Sequence, residues 1–385
     1  MESQGQPVTR AFVPASQPDA ARLLAEGLGP GPFALVMLFM APEADLAAVT
    51  AGMVRACPGA RVVGCTTAGE ISDIGYDEGS IVALAFAARH FAAETLVIPD
   101  LSRLASRDLV TAMVRARATL AREHAHLPEE LALLLVDGLS VKEDELASAL
   151  AAGTGIMPLV GGSAGDGTRF HETFVTEGGR IYRNAAVLTL LRTACPVRVF
   201  NLDHLLPTER RMVVTRADAS ARVVREFNAE PAAREYARLL GKDAGRMDAF
   251  TFAAHPLTVR MGSRHHVRAI QRVLPSGDLV FFSAIDEGVV LTIAEPQDMA
   301  AHLAQALDRL AEPARPDAIL AFDCILRRIE ARDKQMTGRI SALLGRHGVA
   351  GFSTYGEQIG PLHVNHTMTG IAFYPPGTRL PEAAP

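Results

Sequence analysis

Apolar positions in this chain fall into a pattern that recurs three times. A continuous apolar run comes first, at residues 34–40, 131–137 and 318–323. Each is followed by a stretch with helical spacing, near residues 43–56, 142–152 and 333–346. A short apolar run then enters a small-residue turn that closes on an acid. The three turns read Val62-Val-Gly-Cys-Thr-Thr-Ala-Gly-Glu70, Leu159-Val-Gly-Gly-Ser-Ala-Gly-Asp166 and Val349-Ala-Gly-Phe-Ser-Thr-Tyr-Gly-Glu357. The interval from Met40 to Gly64 is 24 residues, as is that from Asp137 to Gly161, and Asp323 to Gly351 spans 28. Such a length suits a β-α-β crossover. An unbroken apolar run suits a strand buried on both faces.

After each turn comes another apolar segment: 80–86, 185–191 and 370–374. These read as antiparallel returns. Residues 266–273 and 279–282, with Pro275-Ser-Gly-Asp278 between them, read as a hairpin. The predicted class is therefore α/β: mixed β-sheets covered by helices, built from repeated strand-helix-strand-loop units, in two domains. Breaks at Gly29-Pro-Gly-Pro32 and near Asn228–Pro231 divide the chain. An N-terminal extension occupies 1–29, a first domain 30–227, a second 228–374, and a tail 375–385.

Composition narrows the function. Hydrophobic residues make up 49% of 385, enough for substantial cores. The net charge of −5, with no basic stripe, argues against nucleic-acid binding. Cys57, Cys65, Cys195 and Cys324 form no C-x-x-C pair, which disfavours a zinc knuckle or redox dithiol. The first residues lack a signal-peptide stretch and no run reaches the ~20 apolar residues of a spanning helix. A cytoplasmic protein with no membrane association is expected.

The turns place small residues, hydroxyls and an acid at strand ends, where ligands of open α/β sheets bind. They could line a pocket together. They do not match a Walker loop. Gly161, Ser163 and Gly165 do fit G-x-S-x-G, so a serine hydrolase acting through Ser163 is a weak alternative. Among twelve histidines two clusters stand out, His265-His266 and His363-Val-Asn-His366. Strand geometry puts His363, Asn365 and Thr367 on one face and His366 on the other, which separates the two histidines and argues against a shared zinc ion. A single axial histidine to a non-covalent haem remains compatible.

Val62–Glu70, the turn at 161–166, and above all Gly351-Phe-Ser-Thr-Tyr-Gly-Glu357 with His363-Val-Asn-His-Thr367 resemble the FIST N and FIST C domains over residues 30–374. The resemblance implies a non-catalytic bacterial sensor of a small ligand, such as an amino acid. It places the ligand near Thr354, Tyr355, Glu357, His363, Asn365 and Thr367. The segments 267–273, 281–288 and 322–329 are similar to the NosP subgroup, which implies a haem b cofactor and nitric oxide sensing. His363, then His266, then His265 are the axial candidates. The same resemblance implies a separate signalling partner, a histidine kinase or a cyclic-di-GMP enzyme. A homodimer is compatible with it.

Overall fold

The computed structural model describes residues 6–262 and 264–381. The first repeat consists of β1 (Val8–Pro14), α1 (Ala20–Leu28), β2 (Phe33–Met40), α2 (Leu46–Ala56), β3 (Arg61–Thr66), the short hairpin β4 (Glu70–Ser72) and β5 (Gly75–Asp77), and the return β6 (Ser80–Ala87). The second repeats this order. It has β7 (Phe91–Ile98), α3 (Ser106–Glu123), β8 (Glu129–Val136), α4 (Glu143–Thr154), β9 (Leu159–Ser163), the hairpin β10 (Val175–Glu177) and β11 (Arg180–Tyr182), and β12 (Ala186–Thr193).

The third opens with β13 (Val197–Leu202) and is then interrupted by a separate sheet. That insertion contains β14 (Leu205–Asp218), β15 (Val223–Phe227), β16 (Glu230–Pro231), α5 (Ala232–Leu240), α6 (Ala249–Ala254), β17 (Leu257–Met261), β18 (Arg264–Arg268), β19 (Ile270–Val273), β20 (Leu279–Phe281) and β21 (Val290–Pro296). The repeat resumes with α7 (Met299–Leu310), β22 (Ala318–Cys324), α8 (Ile325–Asp333), α9 (Thr337–Arg346), β23 (Val349–Thr354), the hairpin β24 (Glu357–Ile359) and β25 (Leu362–Val364), and β26 (Met368–Phe373).

Each repeat forms a six-stranded sheet, but it borrows its last two strands. The sheet orders are β1-β6-β2-β3-β10-β11, β7-β12-β8-β9-β24-β25 and β13-β26-β22-β23-β4-β5. The first repeat's hairpin thus completes the third sheet, the third's completes the second, and the second's completes the first. In each sheet the two central strands are parallel, β2 with β3, β8 with β9, β22 with β23, and the other pairings of the sheet are antiparallel.

Alternate residues explain why the central strands are apolar throughout. Leu35, Met37 and Phe39 face a core shared by all three sheets, together with Leu131, Leu133, Leu135, Leu320 and Phe322. Their neighbours Val36, Leu38 and Met40 face α1 and α2 instead. At one place the shared core joins one phenylalanine from each sheet. Phe86, Phe91 and Phe373 have ring centroids 5.2, 5.5 and 5.8 Å apart, in edge-to-face geometry.

The three-copy pattern holds, with differences. The third crossover is longer because it holds two helices, α8 and α9, where one was expected near 333–346. The residues read as an N-terminal extension supply β1 and α1, and β1 pairs with β6 along seven residues. The expected hairpin at 266–282 is split at Ala269. Its first part, β18, pairs with β17, and only β19 pairs with β20. The break near Asn228–Pro231 falls on the turn between β15 and β16, within the inserted sheet. No helix among the described residues is long and apolar enough to cross a membrane.

One glycine recurs in each parallel pair for one reason. Gly64, Gly161 and Gly351 sit opposite Leu38, Leu134 and Ala321. A Cβ on them would lie 2.5, 2.2 and 1.8 Å from the carbonyl oxygen of that partner. Gly351→Ala is therefore expected to cost roughly 3 kcal/mol or more in urea unfolding, the upper range for overpacking. A wild-type midpoint would contradict the close approach.

Candidate functional site

The three turns meet at the carboxyl ends of the parallel strands and hydrogen-bond to one another through backbone. Gly165 N donates to Thr66 O at 3.1 Å, joining the second turn to the first. Ala68 N donates to Ser353 O at 2.9 Å and Ser353 N to Gly69 O at 2.7 Å, joining the first to the third. Ser163 N donates to Gly356 O at 2.8 Å, joining the second to the third. In two turns the closing acid is an internal strut. The Thr67 hydroxyl donates to Glu70, whose other oxygen accepts from Ser80 N at 3.1 Å. The Thr354 hydroxyl likewise donates to Glu357, whose other oxygen accepts from the Thr367 hydroxyl at 2.7 Å. The second turn is one residue shorter. Its Asp166 instead accepts from the backbone N–H groups of Phe170, His171 and Glu172.

Thr354, Tyr355, Glu357, His363, Asn365 and Thr367 are all buried in this junction. The Tyr355 hydroxyl donates to the Asp166 carboxylate, and its ring lies 4.6 Å from that of Phe170. Asn365 Nδ2 donates to Tyr355 O at 3.2 Å. Burial pushes Glu357 up to about 8 and Glu70 to about 7, against the partial relief of their threonine hydrogen bonds. For Asp166 burial acts the same way, but the bonds from Tyr355 and three backbone N–H groups outweigh it and hold the carboxyl below its ordinary value. None of the six residues lines the four clefts described for the molecule.

The haem expectation meets a packing obstacle. His363 Nδ1 faces the Gln358 amide nitrogen at 3.1 Å, and Nε2 is buried without a partner. A Cβ on Gly356 would lie 2.2 Å from His363 Cε1 and 2.7 Å from Nε2. The coordinating edge of the ring is thus pressed against backbone, and a porphyrin has no face to present there. His265 and His266 lie on β18 opposite Arg260 and Val259, half-buried, and line none of the four clefts either. At His363 the residues as arranged do not fit a haem. Ser163 is fully buried and accepts from Gln358 Nε2 at 2.9 Å, so a glutamine stands between it and His363 where a triad needs direct contact.

His366 points away from His363, as strand alternation predicts, although β25 ends at Val364 and His366 itself has a left-handed φ of 60°. It joins a buried polar chain behind α8. Tyr76 donates to Asp323, which accepts from Arg327 Nε at 2.7 Å. Arg327 Nη1 faces His204 Nδ1 at 2.8 Å. His204 Nε2 and His366 Nε2 lie 3.0 and 2.9 Å from the same oxygen of Glu330. His204, Glu330 and His366 are close enough together to suggest a metal site. The tautomer opposes it. A guanidinium only donates, so His204 Nδ1 accepts and Nε2 carries the proton. That proton points where an ion would sit. Burial lowers His204 to about 3, which keeps it neutral. Glu330 is held below its ordinary value because the two histidine bonds outweigh burial.

The opposite face of α8 lines a cleft of about 560 Å³. Ile325, Arg328, Ile329 and Arg332 meet Thr67–Glu70 of the first turn, Tyr76–Gly79 of its hairpin, and Asp166–Arg169 of the second turn. The first two turns therefore do share a cleft, while the third braces them from behind. Arg328 is fixed in the wall: it donates to Asp77 O at 2.6 Å and Glu70 O at 3.2 Å, and stacks 5.0 Å from the Tyr76 ring. Gly69 has φ 122° and no Cβ, which leaves room for that guanidinium. Arg332 is exposed and lies 5.7 Å over Phe250. Arg169 reaches Glu43 at 3.5 Å. Sequence reading passed over Arg169, Arg328 and Arg332. The available signal was Arg328 and Arg332 four apart on one helix, which share a face but also describe an ordinary solvated surface.

Two outcomes follow from the buried groups. Arg327→Met leaves Asp323 buried without its counter-ion and should cost about 3–5 kcal/mol in urea unfolding; a loss below about 1 kcal/mol would show that the chain does not brace α8. Glu357 keeps its proton in the folded protein while the unfolded chain releases it near 4.5. Its contribution is therefore intact below that pH and is lost as pH rises towards about 8, with a slope of at most about 1.4 kcal/mol per pH unit. Stability of Glu357→Gln, measured over the same window, should fall less steeply than that of the unaltered protein.

A search among curated proteins returned no match. Family models do match: the FIST N domain over residues 34–230 and the FIST C domain over residues 232–360. The two matches meet at β16, and the strand pairings of β4 with β23 and of β24 with β9 cross between them. With both models matched in order along one continuous fold, the chain belongs to the FIST family of signal-transduction sensor domains.

Proposed function

We propose that this sensor takes a small polar metabolite, an amino acid or a related carboxylate, in the cleft between α8 and the first two turns. The observation that carries this reading is the origin of the cleft walls. The turns come from FIST N and the helix from FIST C, so a ligand there touches both domains at once. Arg332 and Arg169 offer guanidinium donors to a carboxylate. Glu43 and Glu78 on the rim offer acceptors to an ammonium group. Occupancy would be felt by α8, whose other face is tied to His204, His366 and Tyr76 through Arg327, Asp323 and Glu330. A separate signalling enzyme, a histidine kinase or cyclic-di-GMP enzyme, is the proposed recipient of that change.

The nitric-oxide-sensing haem reading rests on the sequence resemblance and on one orphan atom, the unpartnered Nε2 of His363. It requires the β24–β25 hairpin to leave Gly356. The two readings are separated by a thermal-shift panel of amino acids and small carboxylates run beside an absorbance spectrum with added haem. A ligand at 100 times its Kd should add about 2.7 kcal/mol of stability. Arg332→Ala should weaken that ligand about tenfold, about 1.4 kcal/mol. A panel without any shift, or a Soret band that disappears in His363→Ala, would remove the metabolite reading.

A further inference from the structure

A second cleft, of about 510 Å³, opens where the end of β8 and the residues flanking β10–β11 face the inserted sheet. Its charges are unlike those of the first. Arg183 and His171 line it from one side, and Arg222 and Arg272 from the other. The one carboxylate in its lining, Asp137, is already committed. It accepts from Leu139 N at 2.9 Å, from Asn184 N at 2.5 Å and from the Thr173 hydroxyl. Arg222 is buried and fixed, with Nη2 2.7 Å from Glu143 and 2.9 Å from Asp144. Arg272 and Arg183 are exposed. Arg272 has no ion pair among the described residues, and Arg183 has only a loose one, 3.9 Å from Glu172. Two exposed guanidinium groups thus line one space from opposite sides, against the single carboxylate of Asp137 in its lining.

The backbone around this cleft is also unusual. Among the described residues, eight that are not glycine have a left-handed φ. Four of them line this one cleft: Val141 at 59°, Phe170 at 53°, Asn184 at 50° and Arg222 at 54°. For asparagine this is tolerated, but for a β-branched valine and a phenylalanine it is costly. Backbone held in sparsely populated regions concentrates where a structure binds or switches. The strain here has no evident packing purpose at Val141, whose side chain is exposed.

We propose that this cleft is a second ligand site, for a phosphate-bearing small molecule of about mononucleotide size. The anion bridges Arg183 on the FIST N side to Arg272 on the inserted sheet, with His171 at the edge, while Arg222, its charge spent on Glu143 and Asp144, forms part of the wall. A guanidinium fork matches phosphate oxygens in pairs, and a dianion offsets both exposed cations together. The site is independent of the α8 cleft, so it stands or falls apart from the metabolite reading.

The experiment is calorimetric titration of the full chain with inorganic pyrophosphate, adenosine 5′-monophosphate and succinate at fixed ionic strength. Both phosphate probes should bind, and succinate should bind at least tenfold more weakly. The double variant Arg183→Ala/Arg272→Ala, altered only at exposed positions, should keep the wild-type melting temperature and lose at least tenfold in affinity. Arg332→Ala, in the other cleft, should bind the phosphate probes as the unaltered protein does. Absence of binding by either phosphate probe, equal affinity for succinate, or undiminished binding by the folded double variant would each overturn the proposal.

Discussion

The close contact between Gly64, Gly161 or Gly351 and the carbonyl beside it is the constraint on which the rest of the architecture depends. At each of these points a parallel strand pair runs too tightly for any side chain. The chain then turns, leaves its own sheet, and pairs its next hairpin with a neighbour's. Because this happens three times in a cycle, the turns are forced together, and their backbone groups satisfy one another instead of water. The buried struts at Glu70 and Glu357 hold those turns in shape. The cleft beside α8 is a consequence: it lies where two turns emerge and the third repeat's helix closes over them.

Much of this was legible in the residues. Unbroken apolar runs identified the paired strands, because burial on both faces demands them. The repeated Gly and closing acid identified the turns, because close approach and an internal carboxylate leave few alternatives. The exchange of hairpins was not legible. β4 pairs with β23 some 280 residues later, through Gly351 and Ile71, and three-residue strands carry no pattern that names a partner. The first strand also escaped notice, since Val8–Pro14 mixes Thr9 and Arg10 with apolar positions and ends on proline. The prominent motif at Tyr355, Glu357 and His363 was visible because its residues are chemically distinctive. In the structure the same distinctiveness serves buried hydrogen bonding. The cleft arginines were hidden by the opposite effect, as charged residues on an amphipathic helix look like solvated surface.

The helix α8 carries two unlike faces at adjacent positions. Arg327 and Glu330 enter a chain of buried polar groups, while Arg328 and Arg332 stand at the cleft. Burying a guanidinium and two carboxylates is costly unless each is paired, and here each is. A chain of this kind is sensitive to the position of the helix, since displacement breaks several bonds together. Under the proposed reading, an event at the cleft would reach His204, at the root of the inserted sheet, and His366, ahead of the last strand, through this helix.

The cyclic exchange of hairpins also governs how the chain can assemble. During synthesis the first repeat emerges with its own hairpin unpaired, because the strand that receives it, β23, lies near the other end of the chain. The second sheet likewise has an open edge at β9 until β24 arrives. No repeat can finish alone, and the pairings that close the circle wait for β23 and β24. Such late, long-range closure is slow relative to local pairing and leaves strand edges open to other chains in the interval. A polypeptide ending near residue 230 keeps two of the three central strand pairs yet completes only one of the three sheets.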